Sequence, residues 1–200
     1  MPELQHAVDD VAAPELAADS VDMLDGAVDG QADFALETDL QVQDAVAALQ
    51  QVDGIAPERW QSLDSGGRLE VLQNVEEQMA AIQGRPSVEV TPSELGAGTY
   101  GAFDGQRIMV NAADLNGDQP VGEFVDTIVH EGRHAYQNYA VDHPGFVTDA
   151  AVVGAWADNM APGNYLSAEQ YGQELYASQP VEADAWNYAS RVIDGLGLPR

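Results

Sequence analysis

The alternation of apolar and polar positions divides the chain into three stretches. The first, up to about Asp53, carries no sustained period until "LQVQDAVAALQQV", from Leu40, begins a weak helical repeat. The second starts with "GRLEVLQNVEEQMAAIQG". Here Leu69, Leu72, Val75, Met79 and Ile82 recur at steps of three and four, which places them on one helix face, and Gly84 ends the run. The character then changes: "SVEV" is short and β-branched, while "GTYGAF" and "QRIMVN" flank Asp104-Gly105, a pair that tolerates the positive φ of a tight hairpin turn. A small, mainly antiparallel sheet of about three strands is predicted. From Pro120 the helical period returns in the third stretch, with Phe124, Val125, Ile128 and Val129 as its apolar face. Further helices are expected near Val147 to Asn159, from Ser167 to Ala177 with Ser167 and Gln170 as a capping box, and from Val181 to Leu196. The fold class is therefore α+β, and no internal repeat is present.

Composition alters this picture at the N-terminus. Residues 1–53 hold thirteen acidic residues and no Arg or Lys, with Asp19, Asp22, Asp25, Asp29 and Asp33 closely spaced. Such a segment repels itself, so it is expected to be a flexible tail or a loosely packed cover, leaving residues 54–200 as the folded domain. Over the whole chain 34 acidic residues face 7 arginines and no lysine, a formal charge of −27. Nucleic acid and anionic membranes are poor partners for that surface. Codon bias or adaptation to salt is the plainest account of the missing lysines and selection against lysine modification the other, and neither specifies a function. With no cysteine, any metal must be held by His, Asp or Glu. The N-terminus lacks a basic region followed by an apolar run, and no stretch of 18 apolar residues occurs. Membrane insertion is not expected, and the chain reads as cytoplasmic or exported without a conventional signal peptide.

The chemistry concentrates in "TIVHEGRHAYQN", Thr127 to Asn138. On a helix, His130 and His134 project from one side a turn apart, so both imidazoles can reach one ion about 2 Å from each ring nitrogen, a spacing that suits zinc. Glu131 lies about 100° round the helix from His130, placed to touch a water on the ion as a general base. A catalytic zinc site needs a third protein ligand. Gln137 and Ala140 stand where a metzincin would carry its glycine and third histidine, which excludes that solution. Glu182 in "SQPVEADAWNYA" is the preferred third ligand: it opens an amphipathic helix, has Trp186 four residues on, and has Asp184 nearby to accept from a ligand imidazole. Glu174, Glu169, Asp149, Asp158 and His143 remain alternatives. Tyr165, Tyr171, Tyr176 and His143 are candidate donors to a developing oxyanion. Arg133 and Gln137 read as salt-bridging or packing residues, and Trp156 and Trp186 as core.

"HEGRH" with a distant glutamate on a later helix resembles the gluzincin branch of the zincin metallopeptidases, over roughly Pro86 to Leu198. The order of hairpin, motif helix and ligand helix also resembles compact ImmA/IrrE-type peptidases, and "DTIVHEGRHAYQ" with "QPVEADAWNYA" is similar to metallopeptidase-like domains of bacterial toxin and effector proteins. The resemblance implies a zincin-like fold with the sheet packed on the motif helix, bound Zn2+, a protein or peptide substrate held along the strand beside the cleft, and peptide hydrolysis by a zinc-activated water with Glu131 as base. In gluzincins an acidic residue often follows the ligand glutamate by three or four positions, whereas here Asp184 follows by two. Two further readings compete: a catalytically inactive zincin-like module whose acidic surface binds a partner, and a metal-free acidic interaction protein.

Overall fold

In the computed structural model the described residues are 21–96 and 98–199, with side chains described from Ala32 onward. In chain order the elements are α1 (Val21–Leu49), α2 (Pro57–Gln61), α3 (Ser65–Gln83), β1 (Glu89–Ser93), β2 (Gly101–Phe103) and β3 (Arg107–Asn111). There follow α4 (Ala112–Leu115), α5 (Val121–Asp142), α6 (Ala150–Met160), α7 (Ala168–Tyr171), α8 (Gln173–Ala177) and α9 (Pro180–Leu196). The class is α+β, and no helix among the described residues is long and apolar enough to cross a membrane.

The helices follow the apolar periods. Asp64 caps α3 by accepting from the Gly67 amide, and Gly84 ends it in the left-handed conformation. Leu72, Val75 and Met79 are fully buried, while Leu69 and Ile82 lie at the margin of the core. On α5, Phe124, Val125, Ile128 and Val129 are all fully buried, each contributing roughly 1.5–3 kcal/mol of transfer free energy. They meet α3, the sheet and the Tyr188–Ile193 face of α9 in one core. The expected helix from Ser167 to Ala177 is interrupted at Gly172, whose φ of 86° belongs to no helix, so it becomes α7 and α8.

The sheet corrects one expectation. It has three strands in the order β1-β3-β2, with β2 antiparallel to β3 but β1 parallel to it, so it is mixed rather than mainly antiparallel. The hairpin forms, but its turn falls one residue later than expected: Asp104 donates to the Arg107 carbonyl, so Gly105, at φ 92°, and Gln106 make the turn, and the Asp104 carboxylate accepts from the Gln106 and Arg107 amides. β1 is captured elsewhere. Gln73 of α3 accepts from the Val90 amide and donates to the Val88 carbonyl, which fixes β1 beside α3. The connection to β2 crosses the end of β3, where Asn111 donates to the Thr99 carbonyl. β2 is left as an edge strand.

The acidic segment is more ordered than its charge suggested. α1 is helical from Val21, and Val42, Ala45 and Leu49 enter the core while Asp33, Asp39 and Asp44 face solvent. A small apolar stripe docks the helix despite the acidic residues around it, and Glu37 turns inward to accept from the Tyr136 hydroxyl. The expectation for residues 1–20 lies outside the described residues.

Beneath α5 sits a buried ion pair: Arg85 donates to both oxygens of Glu76 at 2.7 and 2.9 Å, and its Nε donates to Gln83. The Val88 amide also donates to Glu76. A Cβ on Gly132 would lie 3.0 Å from Glu76 Oε2 and 3.1 Å from Arg85 Nη2, so the glycine within HEGRH lets the pair approach the helix backbone.

Candidate metal centre

The two histidines and the third group are brought together by the start of α9. Pro180 occupies its first turn, where no amide donor is needed. Gln179 accepts from the Leu166 amide and Asn159 Nδ2 and donates to the Leu166 and Tyr176 carbonyls, while Asn159 Oδ1 accepts from the Val181 amide. The helix therefore begins at a fixed place, with Glu182 in its first turn, where the helix dipole favours a carboxylate. His130 Nε2 lies 3.1 Å from His134 Nε2 and 3.4 Å from Glu182 Oε2, and His134 Nε2 lies 3.4 Å from Glu182 Oε1. All three groups are largely buried. Two ligands on a tetrahedral ion with bonds of about 2.0–2.1 Å are separated by about 3.3 Å, so these spacings match the edges of such a site. Glu182 Oε2 is buried without a hydrogen-bond partner, as is His130 Nδ1. Among the described residues this His-His-Glu set is the group able to hold a metal ion, its ligand atoms all within 4.8 Å of one another.

Gln137 orients one of the imidazoles. Its amide nitrogen donates to the Val181 carbonyl at 2.9 Å and to Asp184 Oδ2 at 2.7 Å, both groups that only accept, so its oxygen must face His134 Nδ1, 2.8 Å away. That oxygen requires a proton on Nδ1, which leaves the Nε2 lone pair for an ion. Asp184 thus does not accept from an imidazole directly, as expected from sequence, but acts through Gln137. Arg133 holds Asp184 with two bonds of 2.8 and 3.0 Å and donates to Gln41 of α1 at 2.9 Å. The guanidinium is fully buried between the rings of Tyr136 and Tyr188, 4.3 and 4.6 Å from their centroids. Gln137 was the missed residue. Its signal was its position three residues after His134, on the same side of α5.

Burial disfavours a charged His134, but the adjacent Glu182 carboxylate and the charge of Glu131 outweigh this and push the imidazole up to about 9. Burial likewise opposes ionisation of Glu182, yet the neighbouring His130 and His134 imidazoles hold the carboxyl well below the usual range. Protons and a metal ion would serve the same purpose here: each places positive charge among converging acceptors. Tyr165 donates to Glu182 Oε1 at 2.6 Å, and burial together with that carboxylate raises its hydroxyl above the ordinary phenol range. Tyr176 stands edge-on to Tyr165, 6.1 Å between centroids, and burial raises its hydroxyl too.

Two cavities adjoin the cluster. Glu131, Tyr176, Thr99 and Gly101 line both; His134 and Glu182 line one, and His130 lines the other. β2 reaches them because Gly101 has no side chain: a Cβ there would lie 2.4 Å from Thr127 Cγ2 and 2.9 Å from the Met109 carbonyl. Trp186, expected in the core, is 41% exposed and packs its ring 4.6 Å from that of His130 at the mouth of the second cavity. Trp156 is buried as expected. His143 lies at the exposed C-terminal end of α5, about 13 Å along the axis from His134, stacked on Tyr139. Tyr171 is exposed on α7 and lines neither cavity. Asp149 is spent capping α6, and Asp158, Glu169 and Glu174 face solvent, so none of the alternative ligands joins the cluster.

No family model, curated protein or solved structure matches the chain. The likeness to zincins accordingly rests on HEGRH, the convergence of Glu182 upon it and the strand beside them.

Proposed function

We propose that the protein is a zinc-dependent peptidase, with His130, His134 and Glu182 as ligands and Glu131 as general base. The observation that carries this is the convergence of two imidazole nitrogens and a carboxylate, at tetrahedral spacing, beside a cavity that Glu131 also lines. A neutral imidazole pair with one carboxylate is a catalytic rather than a closed structural zinc set. When bound, zinc would polarise the scissile carbonyl and acidify the attacking water.

The chain's own residues supply the rest. Tyr100 accepts from the Asn111 amide and the Asp104 amide donates to Arg107, so the hydrogen-bonded pairs of the β2–β3 ladder are residues 100/111, 102/109 and 104/107. Gly101 and Phe103 consequently turn their amides and carbonyls toward the open edge. That edge can bind an extended peptide as an added strand. Glu131 takes a proton from the attacking water as its oxygen bonds to the peptide carbon, then delivers that proton to the leaving nitrogen as the C–N bond breaks. Tyr176, which faces both cavities, is the best-placed donor to the carbonyl oxygen as charge develops on it. Tyr165 is occupied in holding Glu182.

The test is zinc content together with cleavage of a peptide library, comparing wild type with Glu131→Gln. One zinc per chain in both proteins is expected, with cleavage reduced about 100- to 10,000-fold in the variant. Untagged protein that binds no zinc, or a variant that cleaves as fast as wild type, would overturn the proposal. Zinc binding without cleavage by wild type would favour the non-catalytic module.

A further inference from the structure

The two imidazoles of the cluster are supported differently. A histidine that ligates a metal through one ring nitrogen ordinarily donates from the other to a fixed acceptor, which sets its tautomer and the plane of its ring. His134 has such an acceptor in Gln137, 2.8 Å from its Nδ1. His130 has none: its Nδ1 is buried and unpartnered, while its Nε2 faces His134 and Glu182. The middle of α5 fixes where its Cβ sits, but rotation of an imidazole about the Cβ–Cγ bond has only broad preferences of its own. Something other than a hydrogen bond must hold that ring in the orientation Nε2 needs.

We infer that Trp186 is the positioning residue of His130, doing by packing what Gln137 does for His134 by hydrogen bonding. This rests on His130 being a zinc ligand, as proposed above, whatever bond is cleaved. Among the described residues two rings lie against His130. One is His134, 4.7 Å between centroids and nearly perpendicular at 85°, which is itself a ligand. The other is the indole of Trp186, 4.6 Å away and tilted by 58°. Trp186 follows Glu182 by four positions, so it stands one turn along the same face of α9. The helix that delivers the third ligand therefore also delivers a wall for the first, and the same start at Pro180 sets both.

The exposure of Trp186 points the same way. Trp60 and Trp156 are 1% and 2% exposed, whereas Trp186 leaves 41% of its surface to solvent, so filling the core is not its use. An imidazole bound to a divalent cation is polarised positive, and indole is the side-chain ring that best stabilises positive charge, so the contact should strengthen when the ion is bound. With alanine at this position the cavity on the His130 side, about 480 Å³, would extend over the imidazole and admit water against it.

The full, untagged chain with Trp186→Ala or Trp186→Phe tests the inference. Competition with a chelator should show zinc bound about 10- to 100-fold more weakly by the Ala variant, the loss expected when a ligand histidine forfeits its outer partner, and most of the affinity recovered by Phe. Cobalt in place of zinc gives visible bands that report ligand geometry, which a change in stability alone does not move. Those bands should shift in the Ala variant and return in the Phe variant. Unchanged zinc affinity and cobalt bands in the Ala variant would overturn the inference, as would a Phe variant no better than Ala. An Ala variant that keeps its zinc but shows a raised KM for peptides would make Trp186 a wall of the substrate cleft instead, leaving the peptidase reading intact. Wild-type protein that binds no zinc would sink both.

Discussion

Two charged groups meet along α5, and they are finished differently. Around Arg133 the polar atoms close on one another: all three guanidinium nitrogens donate, both Asp184 oxygens accept, and tyrosine rings cover the flat faces. One turn away, His130, His134 and Glu182 bring their nitrogens and oxygens to 3.1–3.4 Å of one another, and leave Glu182 Oε2 and His130 Nδ1 buried without partners. A buried charge held only for architecture is expected to be fully paired, because unpaired polar atoms cost several kcal/mol. The first group meets that condition and the second does not, which distinguishes a support from a receptor.

The contrast can be broken at either end. The largest effect is expected from Glu182→Gln, which removes one ligand charge and should abolish tight zinc binding; metal analysis of the purified variant at unchanged fold checks it. Arg133→Met leaves the partly buried Asp184 without its cation and should cost about 3–5 kcal/mol in denaturant unfolding, far more than removal of an exposed pair such as Arg107 with Asp104.

Acidity sharpens the comparison. In metal-free protein His134 titrates at about 9 in place of 6.5. A raised folded value means the stabilisation is complete below about 6.5 and is lost as pH rises through about 9, a change of about 3 kcal/mol. Unfolding free energies at pH 6 and pH 9.5 should differ by that amount without metal and converge when zinc is bound. The smallest effect, about 10- to 100-fold in zinc affinity, is expected for Gln137→Leu, since His134 keeps its place but loses the acceptor that fixes its tautomer. Competition with a chelator reads it directly.

Much of this was legible in the chain. HEGRH on an apolar-faced helix and Glu182 after Pro180 are local patterns, and local patterns survive folding because helix spacing alone decides which side chains share a face. The hairpin was legible for the same reason. What escaped depends on contacts between distant segments. The parallel placement of β1 was chosen by Gln73 on α3, the order of α1 by partners such as Arg133 and Arg191, and the position of Trp186 by the angle at which α9 meets α5. Gln137 was within reach of the motif yet became meaningful only once Val181 and Asp184 pinned its amide.

The glycine at position 132 carries a consequence for tracing descent. With Glu76 and Arg85 pressed to about 3 Å from where its side chain would begin, the middle of HEGRH and the salt-bridged residues below it must change as a set. A distant cousin bearing a bulkier residue there would be expected to have surrendered that charged cushion, so the three positions together make a stricter signature than the five-letter motif alone.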